Sequence, residues 1–143
     1  MRLSTKSRYG TRMLIDIAEN YHDGPVSVAE IASRTGISEK YMEKLIRKLK
    51  KAGLVLSKRG PKGGHVLAKP AASITVGDIV RALEEWVVLK GCSLSKDTCS
   101  SCARVASCPT KDVWEKANTA MFETLDTYTL QSLLKPLSHP PTQ

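Results

Sequence analysis

Four thiols stand close together in this chain, at Cys92, Cys99, Cys102 and Cys108, with the spacing C-x6-C-x2-C-x5-C. Thiolates are soft ligands, and four of them complete either a tetrahedral zinc site or an iron–sulfur cluster. Zinc sites usually pair two short knuckles, and here only Cys99 and Cys102 have that spacing. Disulfides are disfavoured in a reducing cytosol. A Cys-x-x-Cys redox site usually sits at a strand–helix junction, whereas this stretch is irregular and Ser-rich. Spacing therefore favours a cluster and keeps zinc as the alternative. His22, His65 and His139 do not group with the cysteines and read as structural or solvated.

The second chemistry is cationic. Formal net charge is +8, from 22 Lys and Arg against 14 Asp and Glu. Residues 1–70 hold 15 of the cations and 6 of the carboxylates; residues 71–143 hold 7 and 8. The whole excess lies in the first half, which points to a polyanionic partner for that half.

The elements that must present these charges are legible from periodicity. Tyr9, Met13, Leu14, Ile17, Ala18 and Tyr21 recur at helical spacing from Thr5 to about Tyr21, and Asp23-Gly24-Pro25 ends the run. Ser27 with Glu30 is a capping box that starts a short helix to about Arg34. Thr35-Gly36-Ile37 is a tight turn, and Ser38 caps a helix to about Ala52. In that helix Met42, Leu45, Ile46 and Leu49 form an inward stripe, while Lys40, Glu43, Lys44, Arg47, Lys48, Lys50 and Lys51 face outward. Two short helices, a Gly-containing turn and a basic second helix make a helix-turn-helix. An α-helix fits the B-DNA major groove and meets base edges there.

Leu54–Lys58 and His65–Ala68 read as strands around Arg59-Gly60-Pro61-Lys62-Gly63-Gly64. This is a hairpin wing carrying two cations, suited to phosphates or a narrow minor groove. It lacks the Gly-Lys-Ser/Thr ending and βαβ setting of a nucleotide loop.

Thr75-Val76-Gly77-Asp78 opens a helix predicted to reach about Leu89, with Val76, Ile79, Val80, Leu83 and Val87 on its apolar face. Pro109-Thr110 opens a long helix predicted to reach about Leu134, with Trp114, Ala117, Met121, Leu125 and Tyr128 along it. A chain this small cannot cover so long a helix, so a second subunit is expected on it. The organisation is then a DNA-binding unit over 1–70, a supporting helix over 71–90, a cysteine segment over 91–109, a dimerisation helix over 110–135 and a frayed tail over 136–143. The fold class is mostly α with a small β-wing. Aromatics are only 5% of residues, so the core should be aliphatic. No apolar run approaches the length of a membrane span, and Met1–Lys6 has no apolar signal region. A soluble, cytoplasmic protein with no membrane partner is expected. Nothing resembles a catalytic base or a substrate pocket, so neither an enzyme nor a small-molecule substrate is expected.

At the level of whole motifs the chain resembles the Rrf-two family of bacterial winged-helix regulators. The resemblance rests on residues 1–9, Ile37–Leu45, Lys51–Val55, Arg59–Gly64 and Ile74–Asp78, and the helix with Trp114 fits as well. It implies a homodimer with crossing C-terminal helices, held through Trp114, Met121, Leu125 and Tyr128. It implies double-stranded DNA with an inverted repeat as partner, recognition helices in successive major grooves and wings in the minor groove. By position, Ser38, Lys40, Tyr41 and Lys44 would face bases or backbone, and Arg59 and Lys62 would act from the wing. Ser4, Thr5 and Lys6 would meet phosphates, and Glu43 would accept from a cytosine amino group or repel wrong sequences. Sensing members hold an iron–sulfur cluster on cysteines spaced C-x5-C-x5-C before the Trp, often with a His three residues after the last Cys. Cys102, Cys108 and Trp114 keep that spacing; Cys92 lies further upstream, Cys99 is additional, and Lys111 stands at the His position. The simplest ligand set is all four cysteines around a [2Fe–2S] or [4Fe–4S] cluster; in the alternative Cys99 is a spare thiol and the fourth ligand comes from elsewhere, such as the other subunit.

Overall fold

The computed structural model describes residues 3–84 and 107–134. Helix α1 (Thr5–Glu19) is followed by a 3-10 turn, Tyr21–Asp23, then α2 (Val28–Thr35) and α3 (Glu39–Lys51). Strands β1 (Val55–Lys58) and β2 (Gly64–Leu67) come next, then a 3-10 turn, Ala71–Ser73, and α4 (Val76–Leu83). Helices α5 (Lys111–Asp126) and α6 (Leu130–Leu134) complete the described chain.

Local chemistry accounts for these boundaries. The Ser27 hydroxyl accepts from the Glu30 N–H, and the Glu30 carboxylate accepts from the Ser27 N–H, closing the box that starts α2. The Ser27 hydroxyl also donates to the Glu30 carboxylate, and this bond, with the one from the Ser27 N–H, holds the Glu30 pKa below its ordinary value. Gly36 ends α2 at φ 70°, a left-handed position that an L side chain rarely takes. The same box forms at α4 from Thr75 and Asp78. The strands pair antiparallel in the register Val55 with Leu67 through Lys58 with Gly64, and Val26 bridges to His65 so that the chain before α2 extends the wing by one pair.

One core joins the parts. Met13, Leu14 and Ile17 of α1 meet Ile31 of α2, Met42, Leu45, Ile46 and Leu49 of α3, Ile79 and Leu83 of α4 and Leu130 of α6. The buried cluster is aliphatic as composition requires; Tyr9 and Tyr41 only pack against its edge. The inward stripe of α3 is therefore as the periodicity predicts. Arg34 clasps α2 onto α1, its Nε and second guanidinium nitrogen each donating over 2.8 Å to the two carboxylate oxygens of the largely buried Asp16. That two-pronged bond raises the Arg34 pKa above its ordinary value.

Two helix expectations are corrected. The long C-terminal helix is not continuous: α5 stops at Asp126, and α6 begins at Leu130. Between them the chain turns extended to pair with the segment before α4. The Val76 N–H donates to the Tyr128 carbonyl over 2.8 Å, and the Leu130 N–H donates to the Ile74 carbonyl over 2.9 Å. Leu130 is thereby driven into the core, and Thr129 and Ser132 satisfy one another's N–H groups through their hydroxyls to restart the helix. Likewise the helix expected to reach Leu89 ends at Leu83, and Glu84 is extended at φ −98° and ψ 116°. Val87 lies outside the described residues.

Candidate nucleic-acid interface and cysteine segment

Helix α3 stands on its buried stripe and turns Lys40, Glu43 and Lys44 to solvent. Six cations and two carboxylates lie along its thirteen residues. Ser38 is at the N-cap and exposed, yet its hydroxyl makes no capping bond. Tyr41 is half-buried, with its ring edge-on to Tyr9 of α1 at 5.9 Å between centroids and 88° between planes. It therefore both borders the outward face and ties α3 to α1. At the wing tip Arg59 and Lys62 are exposed, and Gly60 reverses the chain at φ 125°. One pair in from the tip-side end of the wing, the His65 ring nitrogen Nδ1 lies 3.3 Å from the Ser57 hydroxyl. Burial, with the Lys50 charge adding, depresses the His65 pKa.

The N-terminal trio lies at the start of α1. Thr5 is exposed, Ser4 and Lys6 are half-buried, and Ser4 is hydrogen-bonded within the chain. Its hydroxyl accepts from the Lys6 N–H over 3.1 Å, capping α1, and donates to Glu84 Oε1 over 2.7 Å. The Ser4 N–H and the Ser7 hydroxyl donate to that same oxygen over 2.9 and 2.6 Å. Burial raises the Glu84 pKa, but the hydrogen bonds from Ser7 and Ser4 outweigh it and hold the carboxyl below its ordinary value. Motif reading gives no sign of Glu84, which falls inside the helix expected to reach Leu89 and beside a second glutamate, Glu85.

Of the cysteines only Cys108 is described. It is half-buried just before α5, with Sγ 3.3 Å from the Thr110 hydroxyl. Cys92, Cys99 and Cys102 lie outside the described residues. Among the described residues no three His, Cys, Asp or Glu side chains gather as a metal site.

Helix α5 has no buried residue within this chain. Trp114 is 44% exposed, and Tyr128, which sits in the break after α5 rather than on it, is 50% exposed. Met121 and Leu125 are half-buried. The anchor of α5 escaped sequence reading: Arg81 of α4 donates to both oxygens of Asp126 over 2.8 and 2.6 Å and stacks on Phe122 at 4.2 Å. That pairing raises the Arg81 pKa and lowers that of Asp126. No helix among the described residues is long and apolar enough to cross a membrane.

A helix-turn-helix on an aliphatic core, with a basic second helix and a two-stranded wing, defines a winged-helix regulator. The comparisons carry the class to a family. Residues 3–136 match the Rrf2 model, described as an iron-dependent transcriptional regulator. The chain is 49% identical over 138 residues to protein rrf2 of Nitratidesulfovibrio vulgaris, covering 96% of this chain and 90% of that protein. It is 39% identical over 134 residues to the HTH-type transcriptional regulator IscR of Erwinia tasmaniensis, covering 94% and 79%. Among solved structures it is similar to T. potens IscR, at TM-score 0.74 and 40% identity over 100% of this chain and 93% of that one. It is also similar to CymR, the global cysteine regulator of B. subtilis, at TM-score 0.72 and 36% identity over 94% and 96%. The chain belongs to the Rrf2 family of transcriptional regulators.

Proposed function

We propose that this protein is a homodimeric regulator that binds double-stranded DNA at inverted-repeat sites and senses through an iron–sulfur cluster on Cys92, Cys99, Cys102 and Cys108. The observation that carries the DNA-binding part is the outward face of α3, cationic over a buried stripe, beside a wing tipped by Arg59 and Lys62. Ser38, Lys40, Tyr41 and Lys44 are the recognition residues in this reading, with Glu43 setting base preference. Thr5 and Lys6 reach phosphates beside α1. The homodimer rests on α5, whose Trp114, Met121 and Leu125, together with Tyr128 beyond it, are exposed or only half-buried among the described residues.

Four thiols in one stretch are the donor set that an iron–sulfur cluster takes, and the family description and the IscR relatives support that cofactor. Bound there, it supplies a redox-responsive centre of two or four irons. The chain's own part is to join the cysteine segment to the DNA-reading half, so that the state of the thiols shifts DNA affinity, a coupling between two sites. Anaerobic purification followed by iron and sulfide counts and a visible spectrum tests the sensor. Iron with sulfide and broad visible absorbance is expected, their ratio giving the cluster type. A colourless protein that cannot be reconstituted would sink the cluster and leave zinc or bare thiols.

A second reading, a thiol-redox regulator without metal, is favoured by Lys111 at the His position and by similarity to the oxidised form of Staphylococcus aureus CymR, at TM-score 0.71 and 34% identity over 97% of this chain and 100% of that one.

A further inference from the structure

Glu84 is the last described residue before the cysteine segment, and its carboxylate is hydrogen-bonded within the chain. One oxygen, Oε1, gathers three donors from the start of α1: the Ser4 N–H, the Ser4 hydroxyl and the Ser7 hydroxyl, at 2.9, 2.7 and 2.6 Å. Ser7 is buried, so its hydroxyl depends on that acceptor in place of water. The neighbouring residue reinforces the grip. Leu83 is fully buried and lies over Gly10, where a Cβ would collide with the leucine's Cδ1. The end of α4 is thus fastened to the first half of α1 by an apolar wedge and a multiply hydrogen-bonded carboxylate. Helix α1 in turn meets the recognition helix through the Tyr9–Tyr41 edge contact and holds α2 through the Asp16–Arg34 clasp. Each step is a direct contact between packed groups, from the last described residue before the cysteine segment to a residue on the DNA-reading face.

We propose that Glu84 is the positioning residue through which the cysteine segment acts on the DNA-reading half, by holding Ser4 and Ser7 and so setting the seat of α1 against α3. The inference rests on the reading of this chain as a DNA-binding regulator that senses through its cysteines. A change in the segment that draws Glu84 away releases the buried Ser7 hydroxyl and the cap of α1 together. The Tyr9 ring then shifts against Tyr41. A carboxylate that only capped α1 would stabilise the helix equally in every thiol state; a coupling residue makes α1 respond to that state.

The experiment compares the full-length wild type, Glu84→Ala and Ser7→Ala, each with free thiols and after alkylation by N-ethylmaleimide. Hydrogen exchange is read at the amides of residues 5–12, and DNA affinity in parallel by fluorescence anisotropy on a fragment selected with the wild type. Alkylation should speed wild-type exchange in α1 about tenfold, as a local opening freed of one restraint. In Glu84→Ala the exchange should already be fast, and alkylation should add less than about twofold, as expected for coupled changes in one network. Ser7→Ala, which keeps the carboxylate and removes one donor, should fall between them and decides the matter if Glu84→Ala does not fold. A Glu84→Ala protein that keeps the full wild-type response would overturn the proposal, as would a wild type whose α1 ignores alkylation. A wild type that binds no DNA in either thiol state would instead defeat the regulator reading, while the exchange data still judge Glu84.

Discussion

Arg59 and Lys62 stand at the wing tip with their side chains in solvent, while Lys40 and Lys44 project from α3. Arg59 should behave differently from the three lysines. An arginine that reaches into a narrow groove reads its shape, whereas a lysine meeting a phosphate contributes charge alone. Arg59→Ala should weaken binding to a selected site by about 1–3 kcal/mol, and affinity for scrambled DNA by much less. Anisotropy titrations on the two DNAs measure the difference, and equal losses on both would demote Arg59 to a phosphate contact. At this scale the sequence was informative about which residues carry charge, because charge and periodicity are written in residue types. It was silent about pairs brought together by folding. Nothing local to Glu84 names Ser4 and Ser7, 80 and 77 residues away, as its donors. Nothing near Asp126 names Arg81, 45 residues earlier.

The wing and the broken C-terminal helix make separate predictions. His65 sits on β2 with its pKa depressed by burial and by the Lys50 charge. The folded chain therefore binds this proton less readily than the unfolded one. The sign follows: the contribution of neutral His65 is present above its ordinary value of 6.5 and is lost as pH falls through the lower, folded value. Urea melts of His65→Gln should lose that part of the slope below pH 6.5, and an unchanged slope would show that the ring does not see its burial. Leu130 is fully buried at the start of α6. Leu130→Ala should cost about 2–5 kcal/mol, from lost transfer energy plus the cavity left behind. A smaller loss in the same melts would mean that α6 is not part of the folding unit. The break that buries Leu130 illustrates what periodicity misses. Trp114, Met121 and Leu125 continue in register to Tyr128, so the pattern reads as one helix. What stops it is pairing of Tyr128 and Leu130 with the backbone around Ile74 and Val76. A distant backbone partner leaves no local mark, whereas the two capping boxes, whose partners are three residues apart, were both readable beforehand.

At the scale of the whole molecule, one aliphatic core carries α3, the wing and α6. Because α1 touches α2, α3, α4 and α6, it is the common seat on which the DNA-reading face and the approach to the cysteine segment both rest. The winged-helix architecture was legible because each of its parts has a local signature and because the motifs occur in the family's order. The claim that unites these parts is that the basic half grips DNA. The most direct measurement is the affinity of the anaerobically purified protein for a selected duplex across a salt series. If two protomers present Lys40, Lys44, Arg59 and Lys62 together, log affinity against log salt should fall with a slope of about −7, because each neutralised phosphate releases a counterion. A slope near zero would contradict the account at its base.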